Sequence, residues 1–381
     1  MKIFDNIIGQ PHVTTILQDA VNAAHNNIES QEMTHSWLFT GPPGSGRSIA
    51  AASFAAALVC PNNGCGICVD CETAMAGSHV DIEIVKTDGL SIKVDDIREL
   101  ISRAAWAPSL SNWRIVILED AERLTEAAAN ALLKAIEEPG SRTIWILCSP
   151  SITEILPTIR SRCRILQLRT PSHESIVKLL VERDKIEPEL ADYAARISQG
   201  HIGRAKYLAQ NPETISHRRS ILELILNLKT TSDAFKVASE ILRIISDDVD
   251  SNSDHNNSQE TEELKNAWQG TNRGLISGGS KAIKDLEKTQ KSRQVRATRD
   301  AIDNALIDIS SLFRDVLMSH SNYSDKIINS ELIPRISNFK TLISLEKNLL
   351  ILDLIDKTRR NLEFNCSSTL QLEDLFLSFV S

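Results

Sequence analysis

Eight consecutive residues, Gly41-Pro-Pro-Gly-Ser-Gly-Arg-Ser48, constrain the fold of this chain more than any other stretch. They follow the phosphate-loop spacing G-x-x-x-x-G-K-[ST], except that Arg47 stands where the pattern has lysine. The apolar run Trp37–Thr40 leads in, and an alanine-rich run from Arg47 to Leu58 leads out. Strand, glycine turn and helix together form the context in which such a loop cradles an anion. Gly41, Gly44 and Gly46 let successive backbone N–H groups turn inward, and the helix start adds its partial positive charge. Ser48 is the candidate hydroxyl ligand for Mg²⁺. Lysine offers a compact point charge on a flexible stem, whereas a guanidinium is a wide planar fork. Arg47 therefore leaves the fold signal intact and argues against rapid nucleotide hydrolysis.

A second motif points the same way. The apolar run Ile115–Leu118 ends in Glu119-Asp120. Two acids at a strand end suit nucleotide chemistry, one touching Mg²⁺ and the other orienting the attacking water. The usual order is Asp then Glu. Here it is inverted, which displaces each carboxylate by about one methylene in a geometry that tolerates little displacement.

These motifs sit in an alternating frame. Apolar strand runs occur at 35–40, 80–86, 113–118, 143–148 and 164–168, with helical runs at 47–58, 93–105, 126–138 and 153–160 between them. Such alternation predicts a parallel sheet flanked by helices over residues 1–171, with ligands at the carboxyl ends of the strands. After Pro171 no strand signal remains. Short helical runs at 173–183, 188–199 and 202–208 make a helical lid over 172–210, and a helical connection follows over 211–245. The stretch 246–258 is acidic and polar with almost nothing to bury, so it reads as a disordered loop. It opens a polar insertion over 246–297, in which 270–280 is similarly polar and 281–299 is a charged helical stretch. The helical period returns over 298–381, with Ile302, Leu306, Ile309, Leu312, Phe313 and Val316 on one face.

Cys60, Cys65, Cys68 and Cys71 fall within twelve residues. Four thiolates at this spacing close a tetrahedral Zn²⁺ site with Zn–S of about 2.3 Å and no position left for water, so the ion would be structural. An iron–sulfur cluster or free thiols are the alternatives. The spacing departs from the ferredoxin run, and no proline follows the last cysteine. Cys148, Cys163 and Cys366 are isolated.

Two arginines complete the candidates. Arg162 lies in Ser161-Arg-Cys163, with Arg160 and Arg164 at alternate positions. On composition alone these are solvated side chains. Only a nucleotide on a neighbouring subunit would give Arg162 a role, as an arginine finger acting in trans. Arg204 follows Gly203 at a helix start, either reaching back toward a γ-phosphate or resting at the surface.

The bulk composition excludes several classes. With 42% hydrophobic and 24% charged residues the chain is ordinary for a soluble globular protein, and 381 residues favour two or three domains. A net charge of -8 excludes a broadly basic nucleic-acid binder. No apolar run approaches the roughly 20 residues a membrane span needs. No basic start followed by an apolar run opens the chain, so no signal peptide and no membrane contact are expected. Clustered rather than paired cysteines suit a reducing cytoplasm.

At family level the run Leu124–Pro139 resembles the helix that follows the strand-end acids in bacterial clamp-loader subunits. Thr158–Cys163 resembles their Ser-Arg-Cys motif, and Phe4–Gln10 their first helix and adenine-proximal segment. The four-cysteine insertion after the P-loop helix is shared by the bacterial members. Arg359–Asn365 followed by Leu370–Leu375 is similar to the family's collar domain. The resemblance implies an AAA+ α/β P-loop core (parallel sheet flanked by helices) with a small zinc module, a helical lid and an all-helical collar. The chain most resembles the non-motor, delta-prime branch, because motor subunits carry Lys at position 47 and Asp-Glu at 119–120. That branch implies a stator in a hetero-pentameric ring with motor and delta subunits of DNA polymerase III. The ring loads the sliding clamp on primer-template DNA, within an assembly classed by its nucleotidyltransferase activity. On this resemblance Arg162 is the finger for the adjacent subunit's ATP. Ser149 takes the first sensor position and Arg204 the second, beside Gly41, Gly44, Gly46, Arg47, Ser48, Glu119 and Asp120 as nucleotide-type residues. Two rivals stand. One is an active ATPase of the same family that binds ATP and Mg²⁺; the other is a zinc-stapled P-loop scaffold with no replication role.

Overall fold

Three of the apolar runs bury side chains on both faces, and this seats them in the middle of a parallel sheet. The computed structural model describes residues 1–26, 33–87, 91–267, 279–320, 327–363 and 366–380. Its chain divides into two compact units, Met1–Gln210 and Asn211–Ser381. The first carries α1 (Pro11–His25), β1 (Ser36–Thr40), α2 (Arg47–Val59), α3 (Val69–Ala76), β2 (Ile82–Val85), α4 (Val94–Ala104) and β3 (Arg114–Leu118). It continues with α5 (Glu126–Glu137), β4 (Thr143–Ser149), α6 (Pro157–Arg160), β5 (Arg164–Gln167), α7 (His173–Glu182), α8 (Pro188–Ile197) and α9 (Ile202–Gln210).

The five strands pair in the order β2-β3-β4-β1-β5, all parallel. Trp37 lies beside Ile146 and Arg164, and Thr40 beside Ser149, which brings the ends of β1 and β4 level. Side chains alternate between the two faces with period two. Trp37, Phe39, Ile115, Ile117, Ile144 and Ile146 pack with α1 and α2 on one side. Leu38, Val116, Leu118, Trp145 and Leu147 pack with α4 and α5 on the other. On the first face the Trp37 and Phe54 rings meet edge to face at 5.0 Å. Helix α2 presents Ala50, Ala51, Ala55, Ala56 and Ala57 fully buried. Methyl-sized side chains allow the backbone close approach to the sheet, so the glycine loop is anchored at both ends. The expected helix at 153–160 is shorter: Pro157 opens α6, preceded by a single 3₁₀ turn at Ile152–Glu154.

Among the described residues the second unit is helical: α10 (Pro212–Leu226), α11 (Thr231–Ala267), α12 (Gly279–His320), α13 (Ile333–Phe339), α14 (Leu345–Glu363) and α15 (Ser368–Val380). Ile302, Leu306, Ile309, Leu312, Phe313 and Val316 form the centre of its core. Buried among them, Arg218 donates to Asp308 at 2.8 Å and to Asn329, so the interior charge is paired.

The reading of 246–258 as a loop is corrected here, because this stretch continues α11. Ile241, Ile245 and Val249, spaced four apart and buried, carry the helix into the polar tract. Polar bonds to α12 then take over: Gln294 donates to Asp250 at 2.7 Å and Arg293 to Glu260 at 2.8 Å. Composition underrates such a helix because its partner is polar rather than apolar. Most of the expected loop at 270–280, and the end of the segment 359–365, lie outside the described residues. Among the described residues no helix is long and apolar enough to cross a membrane.

Candidate functional site

The glycine loop joins β1 to α2 and is shaped by two left-handed residues, Gly44 at φ +79° and Gly46 at +91°. At Gly44 the lack of a side chain is also a matter of room, since a Cβ there would lie 2.2 Å from His201 Cγ. The N–H of Ile202 donates to the Gly44 carbonyl at 3.3 Å, so the start of α9 rests on the loop. His201 caps α9, its Nδ1 accepting from the Arg204 N–H at 3.1 Å. Burial holds the His201 pKa below its usual value, and the charges of Arg204 and Arg47 add to the effect. The ring is therefore neutral, as an accepting Nδ1 requires. Arg204 and the loop are thus brought to one place, with His201 between them.

Ser149 ends β4 beside Gly41, whose N–H donates to the Ser149 carbonyl at 3.3 Å. Its buried hydroxyl donates to the Ser151 carbonyl at 3.0 Å. Ser48 is exposed in the first turn of α2. That turn has N–H groups without intrahelical acceptors, so it retains the features of an anion site.

The acids at the end of β3 are engaged within the chain. Glu119 pairs with Lys86 at 3.3 Å and is largely sheltered. Asp120 adopts φ +55°, a conformation that aspartate tolerates better than most residues. A third acid, Glu122, sits in the short turn that follows. Burial raises its pKa to about 7; Asp120 and Glu154 push it further up, while Arg47 pulls it down. Its Oε2 is buried without a hydrogen-bond partner, as is Nη1 of Arg47. Cys148, fully buried on β4, feels the charges of Glu119, Arg47, Glu122 and Asp120, although burial dominates in pushing its thiol up. Arg47 therefore lies within electrostatic range of acids of its own chain. Sequence reasoning missed Glu122 and His201, since neither belongs to a spaced motif and both act through the fold.

The cysteine centre lies between α2 and α3. The four Sγ atoms of Cys60, Cys65, Cys68 and Cys71 fall within 4.8 Å of one another. Cys60 is 3.7 Å from Cys65 and 3.6 Å from Cys68. A tetrahedron with metal–sulfur bonds of about 2.3 Å has edges of about 3.8 Å, so the thiols stand at coordination spacing. Backbone N–H groups of Asn62, Cys65, Gly66 and Cys71 point at these sulfurs at 3.3–3.5 Å. The Ile67 N–H leads in lowering Cys65 to about 7, whereas burial pushes Cys68 and Cys71 up. A bound cation would favour the thiolate form of all four and offset the cost of burying it. The donor set fits a closed, four-coordinate metal ion.

Arg162 stands apart from the loop, on the turn between α6 and β5, with 38% of its side chain exposed. Its Nε pairs with Glu137, and its Nη1 donates to the Thr158 carbonyl at 2.9 Å and to Ser161 Oγ at 3.1 Å. Arg164 turns inward and lies over the Trp37 ring, 4.9 Å from the centroid.

A glycine loop leading into α2, acids at the end of β3, Ser149 at the end of β4 and a helical cap carrying Arg204 define a P-loop protein of the AAA+ type. Residues 16–172 match the family described as DNA polymerase III, delta subunit. DNA polymerase III subunit delta′ of Bacillus subtilis is 31% identical over 218 residues, covering 56% of this chain and 64% of that protein. The delta′ subunit of Haemophilus influenzae is 33% identical, covering 50% and 63%. The gamma/tau subunit of Mycobacterium tuberculosis H37Rv is 35% identical over 207 residues, covering 52% and 34%. A solved gamma subunit-related protein of Thermotoga maritima aligns with a TM-score of 0.43 at 19% identity, over 95% of this chain and 99% of that one. The chain thus spans less than two thirds of the length of the curated relatives named here. Over the matched stretch the chain is similar to clamp-loader subunits of bacterial DNA polymerase III.

Proposed function

We propose that this chain is a non-motor, delta-prime-type subunit of the DNA polymerase III clamp loader in the bacterial cytoplasm. It joins motor and delta subunits in a five-membered ring that places the sliding clamp on primer-template DNA during replication. Its contribution to chemistry is Arg162, offered as a finger to the triphosphate on the adjacent motor subunit. A guanidinium there neutralises charge that develops in phosphoryl transfer. The four cysteines hold a structural Zn²⁺ that staples the loop between α2 and α3.

One contrast carries this reading. The chain's own loop is encumbered, with Gly44 under His201, Glu119 engaged by Lys86 and Arg47 within electrostatic range of Glu122. Arg162 is exposed on the turn between α6 and β5, with 38% of its side chain open to solvent. A phosphate bound at the start of α2 would meet Ser48 and the loop N–H groups, but no free first acid to organise metal and water.

The test is reconstitution with motor and delta subunits, followed by DNA-stimulated ATP turnover. Arg162→Ala should cost on the order of 10³-fold at the site it serves, as trans fingers do in GTPases. Arg47→Ala should cost little. An unchanged rate with Arg162→Ala, or steady turnover by the isolated chain, would overturn the proposal.

A further inference from the structure

The guanidinium of Arg162 is not a loose surface cation, and the way its donors are used identifies a second residue for the same site. Nε is taken by the Glu137 carboxylate, while Nη1 is taken by the Thr158 carbonyl and by Ser161 Oγ. Nη2 has no partner among the described residues. An arginine fork has a fixed planar geometry, so holding Nε and Nη1 decides where the Nη2 edge points. The three acceptors thus fix the fork while leaving one edge for an outside ligand.

Glu137 is the telling member of this set. It is the last residue of α5, where a carboxylate meets the negative end of the helix dipole and is locally unfavourable. With 43% of its side chain exposed, its ion pair with Arg162 is of a kind that adds little to stability. Neither helix stability nor folding accounts for an acid at this position, whereas orientation of the fork does.

We infer that Glu137 is a positioning residue for Arg162: it aims the free Nη2 edge of the guanidinium at the oxygen atoms of a triphosphate on a neighbouring protomer. This inference rests on the proposed role of Arg162. It adds a requirement that role does not contain, namely that the finger be fixed before the partner arrives. Glu137 does not touch the nucleotide and moves no proton.

The test uses the assembled loader, with kcat and KM for ATP measured on Arg162→Ala, Glu137→Ala, Glu137→Gln and the double variant. Misplacement of a group that acts in the transition state lowers kcat, and a shift of about 1 Å can cost up to ~10²-fold. Glu137→Ala should therefore lower kcat by about tenfold and leave KM within about twofold. Glu137→Gln retains a side-chain oxygen to accept from Nε and should restore most of the rate. In the Arg162→Ala background, Glu137→Ala should do nothing further, because its effect passes through the guanidinium. A purely structural glutamate would move the urea midpoint and would add its loss to that of Arg162→Ala. Unchanged kcat with Glu137→Ala, or additive losses in the double variant, overturns this inference and leaves the finger standing. An Arg162→Ala loader with wild-type turnover overturns both.

Discussion

The seat of α9 on the glycine loop predicts that two glycines two residues apart respond very differently to the same substitution. Gly44 and Gly46 share nearly the same backbone conformation, φ +79° and +91°. Replacing either by alanine incurs the left-handed penalty of about 1–2 kcal/mol. Their surroundings differ. A Cβ on Gly46 meets only Ile202 Cδ1, at an ordinary 3.9 Å. A Cβ on Gly44 would fall 2.2 Å from His201 Cγ and 2.5 Å from His201 Cα, so backbone as well as side chain must move. Overpacking of this kind typically adds about 1–3 kcal/mol. Gly46→Ala should therefore lose about 1–2 kcal/mol and Gly44→Ala about 2–5 kcal/mol, both read from urea unfolding. His201→Gly removes Cβ and Cγ and should recover part of the Gly44→Ala deficit, while doing nothing for Gly46→Ala. Relief through undocking of α9 would instead expose the Ile202 amide, which hydrogen exchange detects. Equal destabilisation by the two alanines, with Ile202 still protected, would refute the contact between His201 and the loop.

Two further expectations concern charge and metal. Glu122 rises from 4.5 to about 7, so the native chain holds that proton more tightly than the unfolded chain. The stability this contributes is complete below about pH 4.5 and is lost as pH rises through about 7. Glu122→Gln stays neutral throughout, so its urea midpoint should gain on the wild type between about pH 5 and 8 and match it near pH 4; a gap independent of pH would count against the burial. Stripping the cysteine centre with a chelator should release zinc, measured by a colorimetric reporter, and lower the thermal midpoint, because the binding energy of structural zinc is folding energy. Cys71→Ser should abolish both the release and the chelator's effect. A chain that purifies without metal and ignores the chelator would refute the site.

Legibility in the sequence followed the range of the interactions. The loop, the strand-end acids and the cysteines are local patterns whose spacing is the chemistry, so residues 41–48, 119–120 and 60–71 could be picked out directly. The alternation of Trp37, Leu38 and Phe39 between two faces was equally local, and it set the sheet. Glu122 and His201 were not legible, because burial makes the one unusual and contact across 157 residues of chain (201 − 44) gives the other its place. Residues 246–258 misled for a related reason: a helix stabilised by polar bonds to a second helix carries no apolar stripe to announce itself. Arg162 was recognisable by motif, but the hold of Glu137 on it, across 25 residues, required coordinates.

The stacking of Arg164 on Trp37 ties the edge strand to the strand that feeds the glycine loop. Arg164 is two residues from Arg162, so the outward guanidinium is rooted through that ring in the same strand that ends at Gly41. The Trp37 ring thus serves two strands at once, β1 from within and β5 through the Arg164 guanidinium. A truncation of Trp37 would loosen the seat of β5 as well as the strand that carries the glycine loop.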